Sequence, residues 1–309
     1  MNRREFFEKA IQFGIVAATA SLFGGFEKVF AAIKKEPAFA DVPELVAVKG
    51  GLPVVMFSAG IKALGGMKAF VKPGQTVVVK PNIGWDVAPE GAANTNPGLV
   101  TAIIKECYAA GAKKVFVFDH TCDNWTDTYK TSGIEAAVKS AGGIMAQGDK
   151  KENYKKQVIP GGKAITTAEV HELITDCDVF INVPILKNHG STKVTIGMKN
   201  NMGIIWNRGA WHTNNIHQCI ADFAAFRKPD LTIVDAYRVM TRNGPRGVSP
   251  EDVVEMGSQI LSRDPVAADA AAAKIFGVEP KDIGYIRLAH EKGIGNMNLS
   301  ELNIKKIYM

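Results

Sequence analysis

The chain has 309 residues, 46% of them hydrophobic and 22% charged, with 37 basic residues against 31 acidic ones for a formal charge of +6. That balance excludes disordered and fibrous classes and supplies enough apolar side chains for a sizeable core. The basic residues are spread without a run of like charge, which reads as a solvated surface and gives no nucleic-acid footprint.

The first 40 residues read as an address, outside the fold. MNRREFFEKAIQFGIVAATASLFGGF sets Arg3 and Arg4 before Phe6 and Phe7, then a weakly apolar stretch from Ala10 to Phe26 rich in Ala and Gly. This resembles a twin-arginine signal peptide, with a small-x-small cleavage site at Ala38-Phe39-Ala40 and an earlier one at Val29-Phe30-Ala31. The expectation is a mature chain starting near Asp41 in the periplasm or another extracytoplasmic space. An uncleaved anchor or an amphipathic first helix is the competing reading, against which the glycine interruptions argue. No later stretch is long and apolar enough to cross a bilayer, so no membrane span is expected after cleavage.

From Asp41 onward, apolar runs of strand length alternate with segments of helical period. In chain order they read as a strand at Leu45–Val48, a helix at Ile61–Val71, a strand at Thr76–Lys80, a helix at Pro97–Ala110 and a strand at Val115–Asp119. Helices at Gly133–Ala141 and Glu169–Asp176 precede a strand at Val179–Val183, and a helix at Asn215–Phe226 precedes a strand at Leu231–Asp235. A strand at Met256–Leu261, helices at Pro265–Phe276 and Ile283–Lys292, and a strand at Leu302–Ile307 close the chain. Asn96-Pro97 and Asp264-Pro265 each pair a capping residue with proline at the first helical position, while Gly111 and Gly277 end those helices. The pattern predicts an α/β fold: a mainly parallel sheet covered by helices on both faces, as one domain over 41–309 or two intimately packed lobes.

In a parallel sheet the strands deliver their following loops to one edge, where ligands bind. After the strands come Lys80 and Asn82; Asp119, His120 and Cys122; Lys187, Asn188 and His189; and Asp235, Tyr237 and Arg238. Lys80, Asn82, Lys187, Lys199 and Asn200 offer donors for the oxygens of a small anionic ligand. His189 and Asp235 are the candidate acid–base residues, and Asp119, His120 and Asp264 offer ligands for a divalent metal. Plainer readings exist: Lys187 and His189 as solvated loop residues, Asp264 as a helix cap, Asp269 as an exposed helical carboxylate. His212 and His217, five apart, do not share the face a helical metal pair needs. Trp85, Trp125, Trp206 and Trp211 lie beside the polar loops, placed to roof a pocket.

Several chemistries lack their motifs: no G-x-S-x-G elbow, no G-x-x-x-x-G-K-[ST] loop and no G-x-G-x-x-G after the first strand. Cys107, Cys122, Cys177 and Cys219 show no Cys-x-x-Cys and no ferredoxin spacing, so no iron–sulfur cluster is expected from this chain's own cysteines. They read as free thiols, with Cys107 and Cys177 in the core, or as two disulfides in an oxidising compartment.

Taken together, VVVKPNIGW, NTNPGLV, GAKKVFVFDH, DVFINVPILKNHG, VTIGMKNNMGI, KPDLTIVDA and LSRDPVAADAAAAKIFG resemble the domain-of-unknown-function family 362, DUF362, from about Thr76 to Gly295. The resemblance implies a globular α/β domain, often joined in other members to a ferredoxin-type iron–sulfur module and met largely in anaerobic bacteria and archaea. This chain departs by lacking the clustered cysteines, so an iron–sulfur role would have to come from a redox partner protein. The resemblance marks Lys80, Asn82, Asp119, Lys187, His189, Lys199, Asn200, Asp235, Asp264 and Asp269 as motif positions without assigning them a reaction. Two functions remain: a ligand-binding cleft at the strand ends, with or without metal-assisted catalysis, or a non-catalytic accessory factor docking on an anaerobic redox enzyme. A subunit interface is the blander use of the same edge.

Overall fold

Continuous apolar strands such as VVV at 77–79 bury both faces, so helices have to stack on each side of the sheet they form. The computed structural model describes Val42 to Met309; the expected export signal lies outside the described residues. Its strands are β1 (Leu45–Lys49), β2 (Thr76–Pro81), β3 (Lys114–Val117), β4 (Ile144–Met145), β5 (Tyr154–Val158), β6 (Thr167–His171), β7 (Val179–Val183), β8 (Ile185–His189), β9 (Lys193–Thr195), β10 (Leu231–Met240), β11 (Val253–Ser262) and β12 (Ile304–Tyr308). The helices are α1 (Pro53–Ala63), α2 (Pro97–Ala109), α3 (Trp125–Thr131), α4 (Ile134–Ser140), α5 (Glu172–Asp176), α6 (Gly197–Asn200), α7 (Ala210–Thr213), α8 (Ile216–Ala224), α9 (Pro265–Phe276) and α10 (Gly284–Glu291). None is long and apolar enough to cross a membrane among the described residues.

The main sheet runs β12-β1-β11-β10-β7-β2-β3-β4, with β8 paired to β10 and β9 paired to β8. Neighbours from β10 through β4 are parallel, as are β1 and β12, while β11 runs antiparallel to both β1 and β10. The α/β architecture with a mostly parallel sheet is therefore as expected. Side chains alternate between its two faces: Val77 and Val79 belong to the same buried cluster as Leu99 and Ile103 of α2, whereas Val78 belongs to the cluster on the other face, with residues of α8, α9 and α10. Helix α9 lies on that second face, and its buried alanines let its backbone approach the sheet closely. The expected caps form: Asn96 Oδ1 accepts from the Leu99 amide, Asp264 accepts from the amides of Val266 and Ala267, and Gly277 takes a left-handed conformation.

Four elements differ from expectation. The first helix starts at Pro53 and stops before Gly65 and Gly66, both at positive φ, instead of covering Ile61–Val71. Thr167–His171 is a strand ahead of α5, because Ala168 and Val170 alternate inward and pair with β5 across an antiparallel hairpin. The strand after Leu231 runs on to Met240. Finally, Lys187 and His189 lie in strand β8, not a loop: Lys187 is opposite Thr195 of β9 and Met240 of β10. The cysteines are unpaired, Cys107 and Cys219 buried, Cys177 partly so and Cys122 exposed.

Candidate functional site

Strand β2 ends in Lys80-Pro81, and its neighbours β3 and β7 run in the same direction, so all three release their chains at one edge. A cavity of about 330 Å³ opens there, lined by Lys80, Asn82, Asp119, Lys187, His189 and Lys199 among others. Its floor is a buried polar network. Lys80 Nζ donates to the backbone oxygen of Asn200 at 2.7 Å and to its Oδ1 at 2.9 Å, and ion-pairs with Asp119 Oδ1 at 2.9 Å. Asp119 Oδ2 accepts from the Ile83 amide at 2.7 Å.

Asn200 is the hub. Its Oδ1 also accepts from Asn82 Nδ2 at 2.9 Å, while its Nδ2 donates to Asn182 Oδ1 at 2.8 Å and to the Lys80 carbonyl at 3.3 Å. Neither Asp, which lacks the donor, nor Leu, which lacks both, satisfies that set. Asn200 reaches this place because α6 is held at its start by Asp269, whose carboxylate oxygens accept from the amides of Gly197 at 2.7 Å and Met198 at 3.0 Å. Asp269 is fully buried on α9, contrary to the exposed helical carboxylate considered from sequence, and burial raises its pKa to about 7. Gly203 sits against the ion pair so closely that a Cβ there would lie 1.8 Å from Asp119 Oδ1 and 2.6 Å from Lys80 Nζ.

Above this floor stand basic side chains of a different kind. Lys187 is 1% exposed; its Nζ donates to Asn82 Oδ1 at 3.1 Å and to the Ala93 carbonyl. Desolvation and the nearby Lys199 and Lys80 lower its pKa to about 7. Lys199 Nζ meets the Met202 sulfur at 3.6 Å, and burial lowers its pKa to about 8. Arg208 donates to the carbonyls of His120 and Thr121 and to Cys122 Sγ at 3.3 Å. Among the described residues none of these three forms an ion pair with a carboxylate.

Burial lowers the pKa of each histidine of the cavity, which favours the neutral ring. His189 Nδ1 accepts from the Ser191 amide at 3.1 Å, which puts the ring hydrogen on Nε2, and burial with Lys199, Lys187 and His212 lowers its pKa to about 3. His212 joins it, ring centroids 6.1 Å apart. His120 lines the cavity, its Nδ1 3.0 Å from the Ile205 carbonyl and its ring stacked on Trp206 at 4.9 Å.

Two predicted site residues lie elsewhere. Asp235 is buried beneath the start of α2, where its Oδ2 accepts from the Asn96 amide at 2.8 Å and its Oδ1 from the Tyr237 amide at 3.1 Å. Asp264 caps α9 and also accepts from the Asn296 amide at 2.7 Å, apart from Asp119 and His120, so the metal set read from sequence does not assemble. Among the described residues no three His, Cys, Asp or Glu side chains converge as a metal site. His217 likewise points away, accepting from the Tyr285 amide.

A family model for a domain of unknown function, DUF362, matches residues 77–274. The chain belongs to the DUF362 family. A thylakoid-associated protein of Synechocystis is 27% identical over 261 residues, which are 78% of this chain and 75% of that one. The lactate racemase apoprotein from Thermoanaerobacterium thermosaccharolyticum superposes with a TM-score of 0.43 at 13% identity, over 72% of this chain and 55% of the racemase.

Every residue of the polar floor, from Lys80 to Asp269, falls inside the DUF362 match. Sequence reasoning missed Arg208 and weighed His212 only in a metal pair with His217; both Arg208 and His212 line the cavity from the short stretch around α7. The available signal was the spacing of WNRGAWH directly after the KNNMG loop, which leaves too few residues to leave the edge.

Proposed function

We propose that this member of the DUF362 family binds a small organic anion, bearing a carboxylate or phosphate, in the cavity at the strand ends. The observation that carries the reading is the split among its charges. Lys80 and Asp119 neutralise each other in the floor, whereas Lys199 and Arg208 bring positive charge to the walls with no carboxylate to match it. Buried charge of one sign is costly unless a counterion arrives, and an anion entering the cavity removes that cost. The neutral His189 adds a ring N–H to the donor set. A metal is not part of the proposal.

Isothermal titration calorimetry of the purified protein against phosphate, oxalate and citrate tests it. Binding of at least one anion, weakened tenfold or more by Lys199→Met or Arg208→Gln, is expected. No heat with any of them, or the same affinity in both variants, would refute the assignment.

We also propose export by the twin-arginine route, on the strength of Arg3-Arg4 and the Ala38-Phe39-Ala40 site. Amino-terminal sequencing of protein from the cell envelope should begin near Asp41; an intact start in cytoplasmic protein contradicts it.

A further inference from the structure

The two most deeply buried lysines of the cavity are held in different ways. Lys80 Nζ has two hydrogen-bond acceptors, the backbone oxygen and Oδ1 of Asn200, and a carboxylate in an ion pair with it at 2.9 Å, Asp119 Oδ1. That is the complement of an ammonium ion. Lys187 has two, Asn82 Oδ1 and the Ala93 carbonyl, and both are neutral. A neutral amine has two N–H bonds and one lone pair. With both hydrogens donated into the wall, the lone pair is what remains for the cavity that Lys187 lines.

The surroundings favour the same form. Lys187 is 1% exposed, no carboxylate forms an ion pair with it among the described residues, and its loss of water outweighs the opposing pulls of nearby charges, those of Cys122 and Asp119 favouring the proton and those of Lys199 and Lys80 disfavouring it. Burial beside other cations is how a lysine is made nucleophilic near neutral pH. Lys199 differs: among the described residues its hydrogen bond goes to the Met202 sulfur, and burial lowers its pKa less far, to about 8, so more of it carries the charge at neutral pH.

Building on the anion-binding reading above, we propose that Lys187 is a nucleophilic amine that captures the carbonyl group of a small anionic aldehyde or ketone as an imine. The Lys187 nitrogen lone pair adds to the carbonyl carbon, forming the C–N bond. The C–O bond then breaks and the oxygen leaves as water, carrying the two hydrogens that were on the nitrogen. Lys199 and Arg208 hold the ligand's carboxylate or phosphate, and a volume of about 330 Å³ admits a compound of this class. The ligand class therefore follows from two features together: cations for the anionic end and an amine for the carbonyl end.

The test uses the full chain with glyoxylate as the probe and sodium cyanoborohydride to reduce any imine to a stable secondary amine. Intact mass gives the number of adducts and peptide mapping gives their positions. One adduct per chain at Lys187 is expected, forming about a hundredfold faster than at surface lysines, which are almost fully protonated at neutral pH. Lys187→Met should abolish it and Lys199→Met should slow it. If Lys187→Met does not fold, the distribution of label over the lysines of the unmodified sequence decides alone. Calorimetry with oxalate, an anion without a reactive carbonyl, runs in parallel. Oxalate binding together with no label at Lys187, or label shared evenly among surface lysines, overturns the imine while leaving the anion site standing. Failure of both anions to bind, with no label at Lys187, overturns both.

Discussion

Replacing Asp119 by Asn isolates the contribution of the buried ion pair, because the two side chains have nearly the same shape. The amide introduced by Asp119→Asn still offers an oxygen to the Ile83 N–H, which Asp119 Oδ2 accepts at 2.7 Å. What disappears is the negative charge 2.9 Å from Lys80 Nζ, with the two side chains 1% and 3% exposed. Breaking a buried pair by removing one partner costs about 3–5 kcal/mol, most of it from the charge left behind. Urea unfolding should therefore show a lower midpoint with an unchanged slope. The loss should also depend on pH. Burial lowers the Lys80 pKa, and Asp119 is the largest influence raising it, so without that carboxylate it falls further. A lysine that is harder to protonate folded than unfolded costs stability at low pH and regains it as pH rises toward its unfolded value. The deficit of Asp119→Asn should be larger near pH 6 than near pH 9. A deficit below about 1 kcal/mol and independent of pH would mean that the pair behaves as a solvated surface contact, and the floor would have been misread.

Gly203→Ala should fail to accumulate as folded protein, since its Cβ would lie 1.8 Å from Asp119 Oδ1; a melting temperature like that of the parent contradicts the packing. Lys187→Met leaves Asn82 Oδ1 and the Ala93 carbonyl without their donor, so its urea midpoint should fall; a midpoint equal to the parent's would mean that those two bonds are not made. Anion affinity should fall as pH rises through about 8, where Lys199 loses its proton; in Lys199→Met that decline should vanish. His189→Gln, which keeps a side-chain N–H donor, should leave the pH profile of affinity in place because His189 is already neutral, with a pKa of about 3; a profile that moves assigns the titration to the histidine.

Much of the architecture was legible along the chain. Apolar runs of four or five residues marked β2, β3 and β7, and the Asn96-Pro97 and Asp264-Pro265 pairs marked two helix starts to the residue. These signals are local: a strand's period or a cap depends on neighbours within a turn. The parallel direction of those strands, and with it a polar edge after Lys80, Asp119 and Val183, followed from the alternation of element types.

Which side chains meet at that edge was decided by the tertiary structure. Lys80 and Asn200 are 120 residues apart, and they touch because strand order puts β7 beside β2 while Asp269 holds α6 in place. Asp235, read from sequence as an acid–base residue, and Asp264, read as a metal ligand or a helix cap, are turned by the fold to backbone amides that would otherwise be buried unpaired. Lys187, one lysine among many along the chain, became the unusual one only because β8 packs between β9 and β10, taking its Nζ out of water with no ion pair to a carboxylate among the described residues. Residue types set which hydrogen bonds are available; the crossing of distant segments sets which of them are made, and therefore which cations are left for a ligand.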